Sequence, residues 1–231
     1  ALSFTERGLL PGATRQGKCR RETRPPRNDM KEAVFSALDL CLACKGCKAE
    51  CPSGVDMAKL KFEFMHEYYK THPRKLRDYL FGYFHISARL LSAFAPIVNA
   101  MMRVGLVKNL AAKILQITPH RPFPEFSRRR ARVVQIANLN APKIIFLSDA
   151  FSRYIEPQVE QAAFDILAAC GYQVLALPIV GAGAGLVSKS FFAAAQRHAR
   201  SVLDALNRID PARVLPIVGV EPPEVYCLKN D

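Results

Sequence analysis

The sequence predicts an α + α/β chain, with an all-helical domain built round a cysteine loop followed by a small parallel-sheet βαβαβ domain. Three observations carry that expectation. Four of the seven cysteines fall between Cys41 and Cys51, flanked on both sides by apolar residues at helical spacing. A long, mostly helical apolar stretch runs from Tyr79 to Ile117. Beyond Ala141 the period changes, and strand-like and helix-like segments alternate in the order strand, helix, strand, helix, strand.

The composition narrows the class. The 231 residues carry 33 Lys and Arg against 20 Asp and Glu, a formal charge of +13, with 50% apolar and 23% charged residues. Such a mixture belongs to a folded chain and not to a disordered one. It is long enough for one large domain or two small ones. The best apolar run, Leu90 to Met102, falls short of the ~18 residues that a spanning helix needs. The first residues show no basic segment followed by an apolar one, so no secretion signal is read there. The chain starts with Ala1, which suggests the tail of something longer. The expected location is cytoplasmic, with a peripheral place on the inner face of the membrane left open.

An odd count of cysteines, four of them crowded together, makes a poor disulfide framework. Reduced thiols and a metal are the better expectation. The run Cys41-Leu-Ala-Cys44-Lys-Gly-Cys47-Lys-Ala-Glu-Cys51-Pro52 reads C-x2-C-x2-C-x3-C-P, the bacterial ferredoxin spacing. Two-residue gaps let the chain curl round one corner of a cube and place three thiolates on three irons. Gly46 is expected to free the backbone for that curl, and Pro52 to end the loop and turn Cys51 away. Zinc is the rival, but structural zinc usually pairs two C-x2-C knuckles, and the sequence has no second one. In two-cluster ferredoxins the cysteine before proline serves the other cluster. Cys41, Cys44 and Cys47 then need a fourth ligand, from Cys51 or from Cys19. Cys19 has three open roles: fourth ligand, partner of Cys51 in a partial second site, or spare thiol. The expectation is one [4Fe-4S] cluster.

Residues 1–28 are basic and bear prolines, and read as an arm or linker, with a docking surface for an acidic partner as the other reading. Residues 29–120 form the helical iron–sulfur domain. Ala33, Val34, Ala37, Leu38 and Leu40 make an apolar face that leads into Cys41, and Asp56 is placed to cap the helix after Pro52. The stretch from Tyr79 to Ile117 is broken at Pro96 and Gly105; an amphipathic hairpin, or a face lying on a membrane or partner, accounts for it. Residues 121–141, with two prolines and a run of arginines, are a basic linker.

Residues 142–231 make the α/β domain. Lys143 to Leu147, Gln173 to Val180 and Val214 to Val220 are its expected strands. Pro157 opens a helix with Val159, Ala162, Ala163, Ile166, Leu167 and Cys170 as its apolar face and Gly171 as its left-handed stop. Phe191 to Leu206 is the second helix. Gly181, Gly183 and Gly185 lie between strand and helix, where a phosphate cradle would sit. The spacing is G-x-G-x-G and not G-x-G-x-x-G, so a close-packed turn and a degenerate cofactor or partner site also remain open. The five histidines show no paired metal spacing, and Cys170 reads as a core residue. Glu221 to Tyr226 reads as a turn.

The segment Leu38 to Lys61 resembles the ferredoxin-like part of bacterial FAD-linked oxidases. These are D-2-hydroxyacid dehydrogenases of the D-lactate dehydrogenase and glycolate oxidase type, fused to iron–sulfur segments. Leu76 to Gly82 and the Arg121-Pro-Phe-Pro124 exit fit the same family. Ser148 to Pro157 resembles the opening of its cysteine-rich (CCG) domain. The likeness extends over roughly 200 of the 231 residues. It implies that electrons pass from a lactate-, glycolate- or 2-hydroxyglutarate-like hydroxyacid through FAD to iron–sulfur clusters and on to a respiratory acceptor. The present chain resembles the electron-accepting part, with FAD held in a preceding domain or a partner subunit. The family's Cys-Cys-Gly falls on Gly181-Ala182-Gly183 and its Glu-Pro-Ser-Cys on Glu221-Pro222-Pro223-Glu224, so both loops lack their thiols.

The expected function is therefore electron transfer within an FAD-linked oxidoreductase. Four thiolates on a 2+ core carry a charge of about −2, which trims the formal +13 to about +11 and leaves a surface suited to acidic partners or anionic lipid heads. The competing class is a basic nucleic-acid-binding or scaffold protein with a structural metal. The Lys and Arg are scattered, without the aromatic-basic motif that nucleic-acid recognition uses.

Overall fold

The computed structural model describes residues 27–135, 138 and 140–230. Within it, β1 (Lys143–Leu147) lies between β2 (Gln173–Ala176) and β3 (Ile217–Gly219), and both pairings are parallel. Lys143 stands opposite Gln173, and Phe146 stands opposite both Ala176 and Val218. Twelve helices accompany this sheet among the described residues. They are α1 (Arg27–Asp39), α2 (Gly46–Glu50), α3 (Met57–Tyr68), α4 (Leu76–Gly82), α5 (Phe84–Ala93), α6 (Ala95–Arg103), α7 (Gly105–Leu115), α8 (Ala150–Tyr154), α9 (Pro157–Ala169), α10 (Ala184–Ser188), α11 (Phe192–Ile209) and α12 (Pro222–Asn230). The arrangement is α + α/β. The chain divides into two compact units, Ala1–Leu40 and Cys41–Asp231. In the first, α1 ends two residues before Cys41 in the sequence; the sheet and α2–α12 belong to the second.

β1 owes its central place to Ile144, Ile145, Phe146 and Leu147, all buried, as a strand covered on both faces requires. Ile145 and Leu147 pack with Val202 and Ala205 of α11 and Cys227 of α12. Ile144 and Phe146 face the other way, towards Phe164 of α9, whose ring meets that of Phe146 edge-on at 4.8 Å. Helices α9 and α11 are the crossovers between successive parallel strands.

Several local expectations hold. Asp56 Oδ1 accepts the Lys59 N–H at 3.1 Å and caps α3. Gly171 follows α9 at φ 82°, the left-handed stop. Others need correction. Of the expected α9 face, Ala163 and Leu167 pack against the core beside the buried Glu160 and Phe164, but Ala162, Ile166 and Cys170 are exposed, so the buried stripe is turned part-way from the expected one and Cys170 is no core residue. Apolar residues lie all round this helix, and the sheet selects the stripe that carries the aromatic ring. β2 stops at Ala176 because Pro178 has no N–H to give a ladder. β3 is three residues long, and the segment after Glu221 is a helix and not a turn, with Pro222 and Pro223 in its first turn, where no N–H is needed. Pro96 likewise sits in the first turn of α6 and Gly105 opens α7, so the stretch from Tyr79 to Ile117 is divided among four short helices. Leu90, Phe94, Ile97 and Leu106 on α5–α7 and their junctions are exposed. No helix among the described residues is long and apolar enough to cross a membrane.

Phe164 is 2% exposed and Ile166 63%. Phe164→Ala is expected to cost about 3–5 kcal/mol, and Ile166→Ala under about 0.5 kcal/mol, in urea unfolding. Equal losses would restore the other face.

Candidate functional site

Parallel α/β sheets present their working loops at the carboxyl ends of the strands. Here the loop after β1 carries Ser148 and Asp149, the loop after β2 carries Val180 to Gly183, and the loop after β3 carries Glu221. Asp149 is buried and accepts the N–H groups of Phe151 and Ser152 at 2.8 and 2.9 Å, capping α8. The Gly181 N–H donates to the Ser148 carbonyl at 2.7 Å and ties the first two loops together.

The glycine loop turns through left-handed backbone at Gly181 (φ 72°) and Gly183 (φ 101°). This turn aims three successive N–H groups at one point. Glu224 Oε2 occupies it, accepting from Ala182, Gly183 and Ala184 at 2.6, 3.1 and 3.2 Å. A side chain at Gly181 would meet that carboxylate at 3.1 Å, and one at Gly185 would meet the Phe81 carbonyl at 2.9 Å. The N–H groups a phosphate would use are thus held by the chain's own carboxylate. Burial, and then the charges of Asp149 and Glu224, push the Glu221 carboxyl above the usual range.

His198 Nε2 donates to the Gly181 carbonyl at 2.9 Å. Its ring lies 4.7 Å from that of His85. Burial, reinforced by His198, brings His85 down to about 4, so its imidazole is neutral at pH 7.

The cysteine loop belongs to the same unit. Its left-handed residues are Ala43 (φ 55°) and Lys45 (φ 61°), not Gly46, which is the first residue of α2. The Ala43 N–H points at Cys41 Sγ at 3.4 Å, and Lys61 Nζ donates to the Cys41 carbonyl. Cys44 and Cys47 are exposed; Cys41 and Cys51 are half-buried. Backbone N–H groups of Val55 and Ser53, with a smaller share from Gly54, hold the Cys51 thiol below its usual range and favour the thiolate. Cys41, Cys44, Cys47 and Cys51 are unpaired thiols. This donor set suits iron in its chemistry: sulfur ligands close in sequence, with backbone N–H groups turned to two of them. No three His, Cys, Asp or Glu side chains among the described residues converge as a metal site. Cys19 lies outside the described residues.

The two loops meet across a cavity of about 600 Å³. Cys44, Phe81, Phe84, Gly183, Glu221 and Tyr226 are among its walls. Lys45 Nζ sits 4.2 Å above the Tyr226 ring and links the cysteine loop to α12. The structure thus brings Cys44 to one cavity with Gly181, Gly183 and Gly185. Sequence reading missed Glu224, hidden in a supposed turn, and the His85–His198 pair, whose members are too far apart in sequence to show a spacing.

This chain is similar to D-2-hydroxyglutarate dehydrogenases. It is 27% identical to that of Escherichia coli over 216 residues, covering 88% of this chain and 21% of the relative. It is 26% identical to that of Pseudomonas putida over 226 residues, covering 92% of this chain and 22% of the relative. It is also 24% identical over 186 residues to one of the subunits of the anaerobic glycerol-3-phosphate dehydrogenase of Escherichia coli, covering 78% of this chain and 47% of the relative. The chain spans about a fifth of the length of the hydroxyglutarate dehydrogenases it matches. No family model matches it, and no solved structure does.

Glu224→Ala should lower stability by about 2–3 kcal/mol by stripping an anionic acceptor from three N–H groups, with faster amide exchange at Ala182–Ala184. A change within experimental error in both would contradict the cradle. Glu221 gives a pH test. Its raised value means that the folded chain keeps a proton the unfolded chain has released, so the favourable contribution is complete below the usual 4.5 and is lost as the pH rises through the folded value. Glu221→Gln should therefore raise Tm at pH 7.5 and lose that advantage at pH 4. The opposite pH dependence would reverse the sign assigned to burial there.

Proposed function

We propose that this chain is the iron–sulfur electron-transfer part of an FAD-linked oxidoreductase that oxidises a D-2-hydroxyacid. The observation that carries the reading is the thiol loop opening on the cavity at the sheet's carboxyl edge, in a chain similar over most of its length to hydroxyglutarate dehydrogenases. Cys41, Cys44 and Cys47 would hold three irons of one [4Fe-4S] cluster as thiolates, and Cys51 or Cys19 the fourth. Such a cluster takes up and passes on single electrons. The N–H groups round Cys51 stabilise negative charge on its sulfur and favour the thiolate a ligand must be, and the Ala43 N–H lies 3.4 Å from Cys41 Sγ. Phe81, Phe84 and Tyr226 line the same cavity as Cys44, and apolar surroundings of this kind help to set a cluster's potential.

The remaining parts of the proposal lie outside the chain. FAD and the hydroxyacid belong to a domain or subunit that makes up the rest of such an enzyme, and the electrons leave for a respiratory acceptor. The basic surface and the exposed apolar residues of α5–α7 suit a peripheral position at the inner face of a membrane.

Oxygen-free purification of the full chain should yield about four iron and four sulfide per molecule. Cys44→Ala and Cys47→Ala should lose most of both, and Cys170→Ser none. Material that carries zinc and no sulfide would overturn the reading.

A further inference from the structure

A second cavity of about 600 Å³ shares His85 and Val180 with the first but has a different chemistry. Its walls bring together Arg89 from α5, Arg130 from the segment before β1, and Arg153 from α8, with His198 from α11. No carboxylate lines it among the described residues. The residues come from segments far apart in sequence, so their meeting is a product of the fold and not of a local basic run.

Two of the guanidinium groups are fixed in place. Arg130 donates to the Ser127 and Arg129 carbonyls at 2.7 and 2.8 Å and to Ser92 Oγ at 2.7 Å, and lies over the Tyr154 ring at 4.7 Å. Arg153 donates to Ser148 Oγ at 3.1 Å. Arg89 is exposed, and its guanidinium has no hydrogen bond or ion pair among the described residues. Arg153 pairs with Glu160, which is 1% exposed. Its Oε1 stands 3.7 Å from Arg153 Nη1, with no hydrogen bond of its own. The cavity's own walls carry three guanidinium groups and no carboxylate among the described residues. Burial lowers the pKa of Arg130; Tyr154 and Glu160 oppose that, and the Arg153 charge adds to it. The fold therefore holds like charges together with too little anion to balance them. The position matches as well, since Ser148 and Pro178 to Val180 follow the carboxyl ends of β1 and β2, where α/β sheets receive ligands.

We propose that this cavity binds a small dianion, a dicarboxylate or a phosphate, between Arg89, Arg130 and Arg153. Planar guanidinium groups pair with such oxygens two bonds at a time, and those already anchored lose little freedom in doing so. Tyr154 and the neutral imidazole of His85 wall the site without adding negative charge. This inference stands apart from the cluster: it uses no cysteine and is read with or without iron.

The test is calorimetric titration of the full chain with sodium phosphate and, separately, sodium glutarate, in buffers matched for ionic strength with chloride. Saturable binding of one anion per chain is expected from at least one of the two, and the one that binds assigns the ligand as phosphate or dicarboxylate. Arg89→Gln, which breaks no internal contact, should weaken that binding about tenfold, equivalent to the loss of one charge-assisted pair. Arg208→Gln, on an exposed turn of α11, should leave it unchanged. The bound anion should also shift the ring-proton resonances of His85 and not those of His120. Absence of saturable binding by both anions, or wild-type affinity in Arg89→Gln, would overturn the proposal.

Discussion

One carboxylate oxygen, Oε2 of Glu224, receives three consecutive backbone N–H groups, and the carboxyl edge of the sheet is arranged round that contact. The two left-handed glycines that make the N–H groups converge also leave them with no acceptor in their own segment. An acceptor at that point is therefore required, and here it is an anion, which three convergent N–H groups favour. Because the anion is a side chain of α12, satisfying the loop also docks the helix. Docking in turn buries Cys227 against Ile145 and Leu147 and brings Val225 so close to Gly219 that a side chain there would sit 2.8 Å away. Tyr226, on the same helix, takes the Lys45 ammonium over its ring. Tyr226 thus ties the cysteine loop to the helix that the glycine loop docks, and Lys61 holds the same loop at the Cys41 carbonyl.

The charges at this edge are sorted. Asp149, Glu221 and Glu224 gather beside the first cavity. Two of them are held by N–H groups, while Glu221, which has no such cap among the described contacts, is the one whose carboxyl is pushed up. Arginines gather at the second cavity. His85 lines both, and burial keeps it neutral. A neutral ring between an acidic and a basic region separates the two without itself favouring either, whereas a charged imidazole there would add to the arginine surplus.

What could be read in advance was local, and what could not was a matter of partners. The run Lys143 to Leu147 announces a strand buried on both faces because nothing in it tolerates water. Asp56 announces a cap because its partner is Lys59, three residues away. The cysteine spacing is local in the same sense, but no three metal-competent side chains converge among the described residues, and the turn expected of Gly46 is made by Ala43 and Lys45. The face of α9 is not legible, because Ala162 and Ile166 are as apolar as the residues that are buried, and because the buried stripe includes Glu160, a side chain that sequence patterning sends to the surface. Glu224 and the arginine cavity depend on contacts between distant segments, which leave no period to detect.

The same cradle explains how the α/β half can do without the thiols of the family it resembles. In that likeness Glu224 stands where the second loop carries a cysteine, and Gly181 and Ala182 stand where the first carries a pair. A loop with three convergent N–H groups is suited to negative charge of any origin, whether sulfur, phosphate or carboxylate. Replacing a thiol by Glu224 retains an anionic side chain on α12 and lets it reach the N–H groups directly, so the demand of the loop is met from within the chain. The loops can then keep their meeting point, and with it the packing of α12 and the wall beside Cys44, with no metal between them. On the function proposed here, redox chemistry would fall to Cys41, Cys44, Cys47 and a fourth ligand, while the α/β half holds the shape of the cavity that Cys44 lines.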